Sequence, residues 1–423
     1  MATQDKLQFE FSSKLKTWCL ILTVVGAVLS GIGFATDHSD HQQYSWSILL
    51  ICSFFFFAIS LGAMFFYAVQ YAAEVAWSSQ IKRVFESMFK NLWVYTAIIG
   101  LILLAGQMHI NHLWHWMDPS VYPEYIIEAT GEAAADETIA GAVANPDYDK
   151  LIADKLPYLS SWFFWLRFAA YAGVFLYFSN YFRKLSLKED QVGGLDIHYK
   201  MYRRSAVFLV FFAVFSSMLS WDWLMSIDVH WFSTMYGWYI FSGMWVTTMI
   251  FSTLLIVYLK NKGYFPMLNN SHIHDLGKWV FAISMLWSYL WFCQYMLIWY
   301  SNIPEEVAYF KERYDSFMYP MVLTFFVNFA IPFYVLIARD AKRNTKYLVR
   351  VGVIIFFGHA ADLYVAIVPG TTHGHSHFIG WFEIGMFLGF LGLFTYLTLN
   401  ALSKVRLIPV NHPFIKESEQ HQI

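Results

Sequence analysis

The sequence predicts an all-α membrane protein with ten transmembrane helices, on its composition, its apolar runs and its charge distribution. Of 423 residues, 58% are hydrophobic and only 14% are charged, with a mean hydropathy of +0.43. Soluble domains carry about 25% charged residues, so the composition excludes an ordinary soluble, disordered or coiled-coil chain. The net charge of −2 gives no sign of a basic surface that binds nucleic acid.

Ten apolar runs of roughly 20 residues define the predicted spans, which is the length of a helix that crosses a bilayer. Each run predicts a helix because lipid offers the backbone no hydrogen-bond partners. The alternating pattern that a transmembrane β-barrel needs is missing. The runs are 18–35, 46–71, 92–110, 160–182, 206–225, 236–259, 279–300, 318–338, 348–368 and 378–402.

The orientation follows from the lysines and arginines between the spans, since cytoplasmic segments carry an excess of them. Of the 28 basic residues, 21 lie in the two termini and the even-numbered loops, and 4 lie in the odd-numbered loops. The alternation has no exception. It therefore predicts an even number of spans and cytoplasmic termini.

We expect one integral membrane domain over residues 1–423, with two notable connections. Residues 111–159 are acidic and include a small-residue stretch at 129–144, which is typical of an exposed, partly flexible extracytoplasmic loop. Residues 183–204 are basic and are predicted to form a loop along the cytoplasmic headgroups.

Ionisable residues in or beside the spans are candidate functional groups, because burying a charge in lipid costs several kcal/mol. The outer group includes His359 and Asp362, which lie three residues apart and so share one helix face. A histidine beside a carboxylate exchanges protons near neutral pH, as quinol oxidation requires. The alternative is that the group makes structural hydrogen bonds. The candidate quinone-binding residues or outer proton acceptors are His112, Asp222, His230, His359 and Asp362, and Glu383 lies early in span ten.

A smaller polar group lies nearer the cytoplasm. On span two, Tyr67, Gln70, Tyr71 and Glu74 follow the i, i+3, i+4, i+7 spacing of one helix face. With Asn328 in span eight, Gln70 and Glu74 are the candidate inner proton path. The alternative is that these residues join helices or reach the headgroups.

Metal centres are not expected on this chain. An iron–sulfur cluster needs four close thiolates, but the three cysteines lie in three separate apolar runs. The histidines crowd the outer ends of the spans, which disfavours a haem held at mid-membrane. The histidines at 373, 375 and 377 are interpreted as a hydrated loop in preference to a metal site.

Three strings give a family resemblance: residues 294–306 (QYMLIWYSNIPEE), 220–226 (SWDWLMS) and 328–333 (NFAIPF). Together they resemble the integral membrane subunits of bacterial alternative complex III, in the NrfD/polysulfide-reductase membrane-subunit family. The similarity covers spans two to nine and is strongest to the smaller of the two paralogous membrane subunits. It implies ten helices, with spans 2–5 and 6–9 forming two four-helix bundles.

The resemblance also implies a non-autonomous subunit of a quinol:cytochrome c oxidoreductase that handles menaquinone or ubiquinone. Its partners would be lipid, the paralogous membrane subunit, an iron–sulfur subunit, c-type haem subunits and a terminal oxidase. Haem and iron–sulfur clusters would then lie on those subunits. The residues leave three roles open: quinone binding, proton conduction, or a scaffold for the other subunits.

Overall fold

The computed structural model describes residues 8–127, 132–134, 142–372 and 379–422. Nine helical segments in these ranges are long and apolar enough to cross a membrane, as an all-α polytopic protein requires. The helices are α1 (Ser13–Thr36), α2 (Gln43–Ala72), α3 (Lys82–Phe89), α4 (Leu92–Gln107), α5 (Lys150–Asp154), α6 (Leu156–Leu159), α7 (Ser161–Val192), α8 (Leu195–Trp223), α9 (Met235–Asn261), α10 (Asn270–Ser301), α11 (Pro304–Phe325), α12 (Ile331–Leu336), α13 (Arg339–Arg343), α14 (Thr345–Thr372), α15 (Trp381–Leu402) and α16 (Ile415–Glu419).

Helix α7 corresponds to the predicted fourth span but is less apolar than the nine segments. It is 32 residues long and carries charged residues at Arg167 and between positions 183 and 190. Near its start, Arg167 bonds to Asp222 at the end of α8. Near its end, the backbone carbonyl of Asp190 accepts a hydrogen bond from the side-chain amide of Asn411 in the C-terminal segment. The helix therefore runs from one end of the molecule to the other.

The basic connection 183–204 is not the loop that we predicted. Helix α7 continues to Val192 and α8 begins at Leu195, so the break is confined to Gly193 and Gly194. Both glycines have positive φ values, 69° and 85°, which side-chain-bearing residues rarely adopt. Hydropathy marks where the apolar surface ends. A helix continues beyond that point when its next turns are charged but helix-forming.

The described parts of segment 111–159, which we expected to be exposed and partly flexible, contain regular secondary structure. They form short helices and a small antiparallel sheet in the order β2-β1-β3. The small-residue stretch falls partly at 129–131 and 135–141, outside the described residues, as do the histidines at 373, 375 and 377. The strands are β1 (Tyr125–Ile127), β2 (Ala133–Ala134) and β3 (Ala142–Ala144).

Helix α2 is the central element, and nearly all of its residues are buried. It contacts α3, α4 and α8, while α7 contacts α4 and α8. Helices α10 and α14 pack against α9, and α11 packs against α14. Contacts of α2 with α9 and α14 join these two groups. Helices α1 and α15 pair separately at glycines, where a Cβ on Gly26 would lie 2.3 Å from the Gly389 Cα.

The first and last described residues of the chain lie at the same end of the molecule as the lysine- and arginine-rich connections. The Gln8 side chain donates to the Ser403 carbonyl at 2.6 Å. The Asn269 side chain donates to the His421 carbonyl at 2.5 Å, which links the connection after α9 to the C-terminal segment. Ser418 donates to the Trp77 carbonyl at 2.9 Å, which links the same segment to the connection after α2. We call this the basic end.

Candidate functional site

Asp222 is held in a buried ion pair at the end opposite the basic end. Its carboxylate accepts Arg167 Nε at 2.8 Å and Nη2 at 3.0 Å, and the Tyr171 hydroxyl at 2.8 Å. Both charged side chains are almost fully buried. The Arg167 guanidinium also stacks on the Tyr158 ring, 3.8 Å from its centroid. Because both carboxylate oxygens accept hydrogen bonds and the charge is paired with Arg167, the geometry favours the structural alternative for Asp222.

His230 lies in the connection after α8 and is exposed. Its Nε2 pairs with Asp149 Oδ2 at 2.5 Å, which ties this connection to the N-cap of α5. Burial alone raises the pKa of Asp149. Hydrogen bonds with His230 and with the backbone N–H groups of Leu151 and Ile152, together with the charge of His230, outweigh that effect, so this pKa lies below its usual value. Solvent reaches His230, so this pair links the connection before α5 to the connection after α8 and lies apart from the apolar interior.

His112 lies directly after α4 and joins a small histidine cluster. Its ring is 4.0 Å from the His41 ring and 6.2 Å from the His109 ring, measured between centroids. Burial, followed by the charge of His41, lowers the pKa of His112. The structure therefore does not bring His112, Asp222 and His230 into one site.

His359 and Asp362 share one face of α14, as their spacing predicts, and both are buried. Trp287 Nε1 donates to Asp362 Oδ2 at 3.2 Å, and the Tyr239 hydroxyl also bonds to this carboxylate. The His359 ring packs edge-on against Trp287, and neither ring nitrogen has a partner among the described residues. They line a small cavity with Gly243 that has room for a water molecule.

The inner candidates separate into two places. Gln70 is buried and lines a cavity at the basic end together with Tyr67, Tyr71, Lys82 and His198, but its Oε1 is without a partner among the described residues.

Glu74 lies just beyond α2 with a φ of 50°, and its half-exposed carboxylate is 3.8 Å from His198 Nε2. Asn328 does not join this cavity. It lies in a π-helical turn against α14, where a Cβ on Gly358 would be 2.2 Å from its Oδ1.

A buried network of charges lies beside the cavity at the basic end that Gln70 lines, and we did not predict it from the sequence. Glu86 accepts both Arg83 Nη1 at 2.6 Å and Arg183 Nη1 at 2.9 Å. Glu189 accepts Lys82 Nζ at 2.5 Å. The three-residue spacing of Arg83 and Glu86 on α3 was visible in the sequence, but partners about a hundred residues away were not. The members are Lys82, Arg83, Glu86, Arg183, Glu189 and Asp190.

An apolar cavity that ends at an ionisable group lies between α2, α14 and α15. Its volume is about 230 Å³, and it is lined almost wholly by apolar side chains. Exposed Phe357 and Ile384 edge it, so it opens on the lipid-facing surface. Its apolar wall is formed by Ile48, Ile51, Cys52, Phe357, Ala360, Ala361, Ile379, Ile384, Phe387 and Leu388. We call this space the α14–α15 cavity.

The polar end of the α14–α15 cavity is formed by Glu383 and two tyrosines. The Tyr44 hydroxyl donates to Glu383 Oε1 and lies 3.3 Å from the Tyr364 hydroxyl. Glu383 Oε2 accepts the Gly380 backbone N–H at 2.6 Å, which fixes the carboxylate at the start of α15. The sequence pointed to Glu383 through its depth in a span. Its tyrosine partners come from distant helices and carried no such signal.

No protein-family model matches this chain, and no curated protein matches it. The resemblance of the three strings to membrane subunits of alternative complex III therefore stays a prediction. The functional conclusion depends on the cavities and on their chemistry.

Proposed function

We propose that the chain is an integral membrane subunit of a respiratory quinol:electron-acceptor oxidoreductase of the alternative complex III type, and that it binds quinone in the α14–α15 cavity. The observation that carries the proposal is this apolar cavity, which opens to lipid and ends at a carboxylate. Cofactor pockets typically enclose about 300–1,000 Å³, with apolar walls and a few fixed polar groups. The apolar walls and the fixed carboxylate of the cavity fit that description, and its volume of about 230 Å³ lies just below that range.

The chemistry of the two ends matches the two parts of a quinol. A hydroxylated ring needs a hydrogen-bond acceptor, and Glu383 retains free lone-pair positions beside its bonds from Tyr44 and Gly380. A polyprenyl tail needs an apolar channel that is open to the bilayer, which the walls of the cavity provide. Oxidation of a quinol releases two electrons and two protons. Glu383 accepts the protons one at a time, and metal centres on other subunits accept the electrons.

We propose ten spans with both termini in the cytoplasm, arranged as two four-helix bundles flanked by α1 and α15. Two observations support this topology. The termini share the basic end, which requires an even number of crossings, and α7 runs the full length of the molecule as the tenth. The contacts of α2 to α8 and of α9 to α14 follow the proposed bundles. Glu383 then lies in the outer leaflet of the bacterial inner membrane, as for quinol oxidised near the outer face.

Quinone binding by purified complexes in quinone-free nanodiscs tests the proposal. Glu383→Gln removes the negative acceptor and should weaken ubiquinol and menaquinol binding about tenfold or more, since hydrogen bonds to charged groups contribute about 1.5–3 kcal/mol. Ala361→Phe should exclude the ligand by filling the cavity. Glu305→Gln, on an exposed position at the start of α11, is the matched control. Unchanged affinity in both cavity variants would contradict the proposal.

A second candidate role is proton conduction within the same complex, without a quinone site on this chain. It is favoured by the buried polar groups that lack partners among the described residues, at Gln70, His198, Asn328 and His359. Such groups call for water or another polar ligand. Proteoliposome measurements of the proton-to-electron ratio separate the roles. A lower ratio in Glu74→Gln with normal quinone binding would favour conduction.

The scaffold role has weaker support. Trp223 and Trp231 are buried in this chain's own core, so they offer no surface to a partner subunit. Exposed Trp162, Trp238 and Trp299 are the better contact candidates. Their replacement by alanine should release partner subunits if this role is correct.

A further inference from the structure

Three ligand-type side chains meet at the basic end, away from the α14–α15 cavity. Glu189 comes from the last turn of α7, His198 from the first turn of α8 and His412 from the C-terminal segment. All three are buried, and one potential ligand atom from each lies within 4.8 Å of the other two. The chain thus brings two imidazoles and a carboxylate together from three separate segments.

The ligand atoms in this group are largely uncommitted. Glu189 Oε2 accepts Lys82, but Oε1 is buried without a partner among the described residues. Neither nitrogen of the buried His198 ring has a hydrogen-bond partner there. On His412, Nδ1 accepts only a long bond, from the Phe414 backbone N–H at 3.2 Å. Unpaired polar atoms are unfavourable in a protein interior, so a missing partner is expected.

The surroundings supply further oxygen ligands. Gln70 Oε1 is buried, lines the same cavity and also has no partner in the described part of the chain. The half-exposed Glu74 carboxylate lies 3.8 Å from His198 Nε2. Two imidazoles with carboxylate oxygens are a donor set typical of zinc and chemically similar divalent ions.

We propose that Glu189, His198 and His412 bind one divalent transition-metal ion of the Zn²⁺ class. At ligand distances of about 2.0–2.1 Å, tetrahedral ligands lie about 3.4 Å apart, so the side chains must close by about 1.4 Å at most. The bound ion would fasten the C-terminal segment to the α7–α8 corner. This role is independent of quinone binding.

Cobalt titration of the full-length chain, purified from membranes and treated with chelator, tests the proposal. Co²⁺ in a tetrahedral site with nitrogen ligands absorbs visible light, so binding is read directly. We expect one saturable site per chain in the wild type that Zn²⁺ displaces. His198→Gln and His412→Gln should each weaken it at least tenfold. His421→Gln is the matched control, because His421 lies in the same segment but pairs with Asp275.

Lys82→Met keeps the proposal testable if the ligand variants fold poorly. It removes a positive charge 2.5 Å from a ligand carboxylate and should tighten Co²⁺ binding about tenfold or more. The histidines at 373, 375 and 377 are a constant background in every variant. Equal Co²⁺ spectra in the wild type, His198→Gln and His412→Gln, or no tightening in Lys82→Met, would overturn the assignment.

Discussion

Replacement of Asp222 by alanine leaves the Arg167 guanidinium buried without its counter-charge. The arginine is 5% exposed and the aspartate 1% exposed, and the pair is joined by hydrogen bonds of 2.8 and 3.0 Å. Breaking a buried pair on one side costs about 3–5 kcal/mol. A loss of 3 kcal/mol raises the unfolding equilibrium constant by about two orders of magnitude. Unfolding in mixed micelles by a rising fraction of dodecyl sulfate measures this change.

The double variant Arg167→Leu/Asp222→Leu separates a structural role from a proton-accepting one. Replacing a whole buried pair by apolar residues is often neutral or stabilising, so the double variant should recover most of the lost stability. Its quinol turnover should then be close to that of the wild type. A change below 1 kcal/mol in Asp222→Ala, or a stable double variant without turnover, would refute the structural role.

Three further predictions address other parts of the chain. Gly26→Leu should separate α1 from α15, because a side chain at this position meets the backbone of Gly389. Disulfide cross-linking between cysteines placed on the two helices should then be lost, and an unchanged cross-link would contradict the close contact. His230→Ala should cost no more than about 1 kcal/mol in the micelle assay, since exposed ion pairs contribute little. Burial and the charge of His41 lower the pKa of His112, so the folded protein favours the neutral ring. The stability that this preference contributes is present above the unfolded pKa of about 6.5 and is lost as the pH falls below that value. The protection of the backbone amides of residues 40–42 against hydrogen exchange, corrected for the intrinsic pH dependence of exchange, should then fall as the pH drops below about 6.5, and His41→Phe should reduce that dependence; a fall of equal size in this variant would contradict the assignment.

The sequence predicted the long helices well because a membrane imposes a simple length and composition on each crossing. Apolar runs located every long helix, including α7. The helix ends were wrong by up to fourteen residues at α11, which begins at Pro304 and not at 318. Charged turns outside the hydrocarbon continue a helix without leaving a hydropathy signal. For the same reason, the connection between α7 and α8 is only two residues long, Gly193 and Gly194, where we predicted a longer loop.

The site residues were harder to predict, because depth in a span does not reveal which helix face meets which neighbour. The pairing of His359 and Asp362 followed from spacing on one helix. The partner of Asp222 lies 55 residues away on another helix, and no local pattern indicated it. Asn328 was assigned to the inner path from its depth alone, yet it faces α14 in the other helix group.

The most direct test of the proposed function is to map where a photoreactive azidoquinone attaches to the chain. Labelling in native lipid particles, followed by peptide mass spectrometry, identifies the contacted segment. We expect labels on the first half of α15 and on α14 near Tyr364. An excess of natural quinol should prevent this labelling, and Ala361→Phe should abolish it. Labels confined to the His359 cavity, or a complex that labels only on other subunits, would contradict quinone binding between α14 and α15.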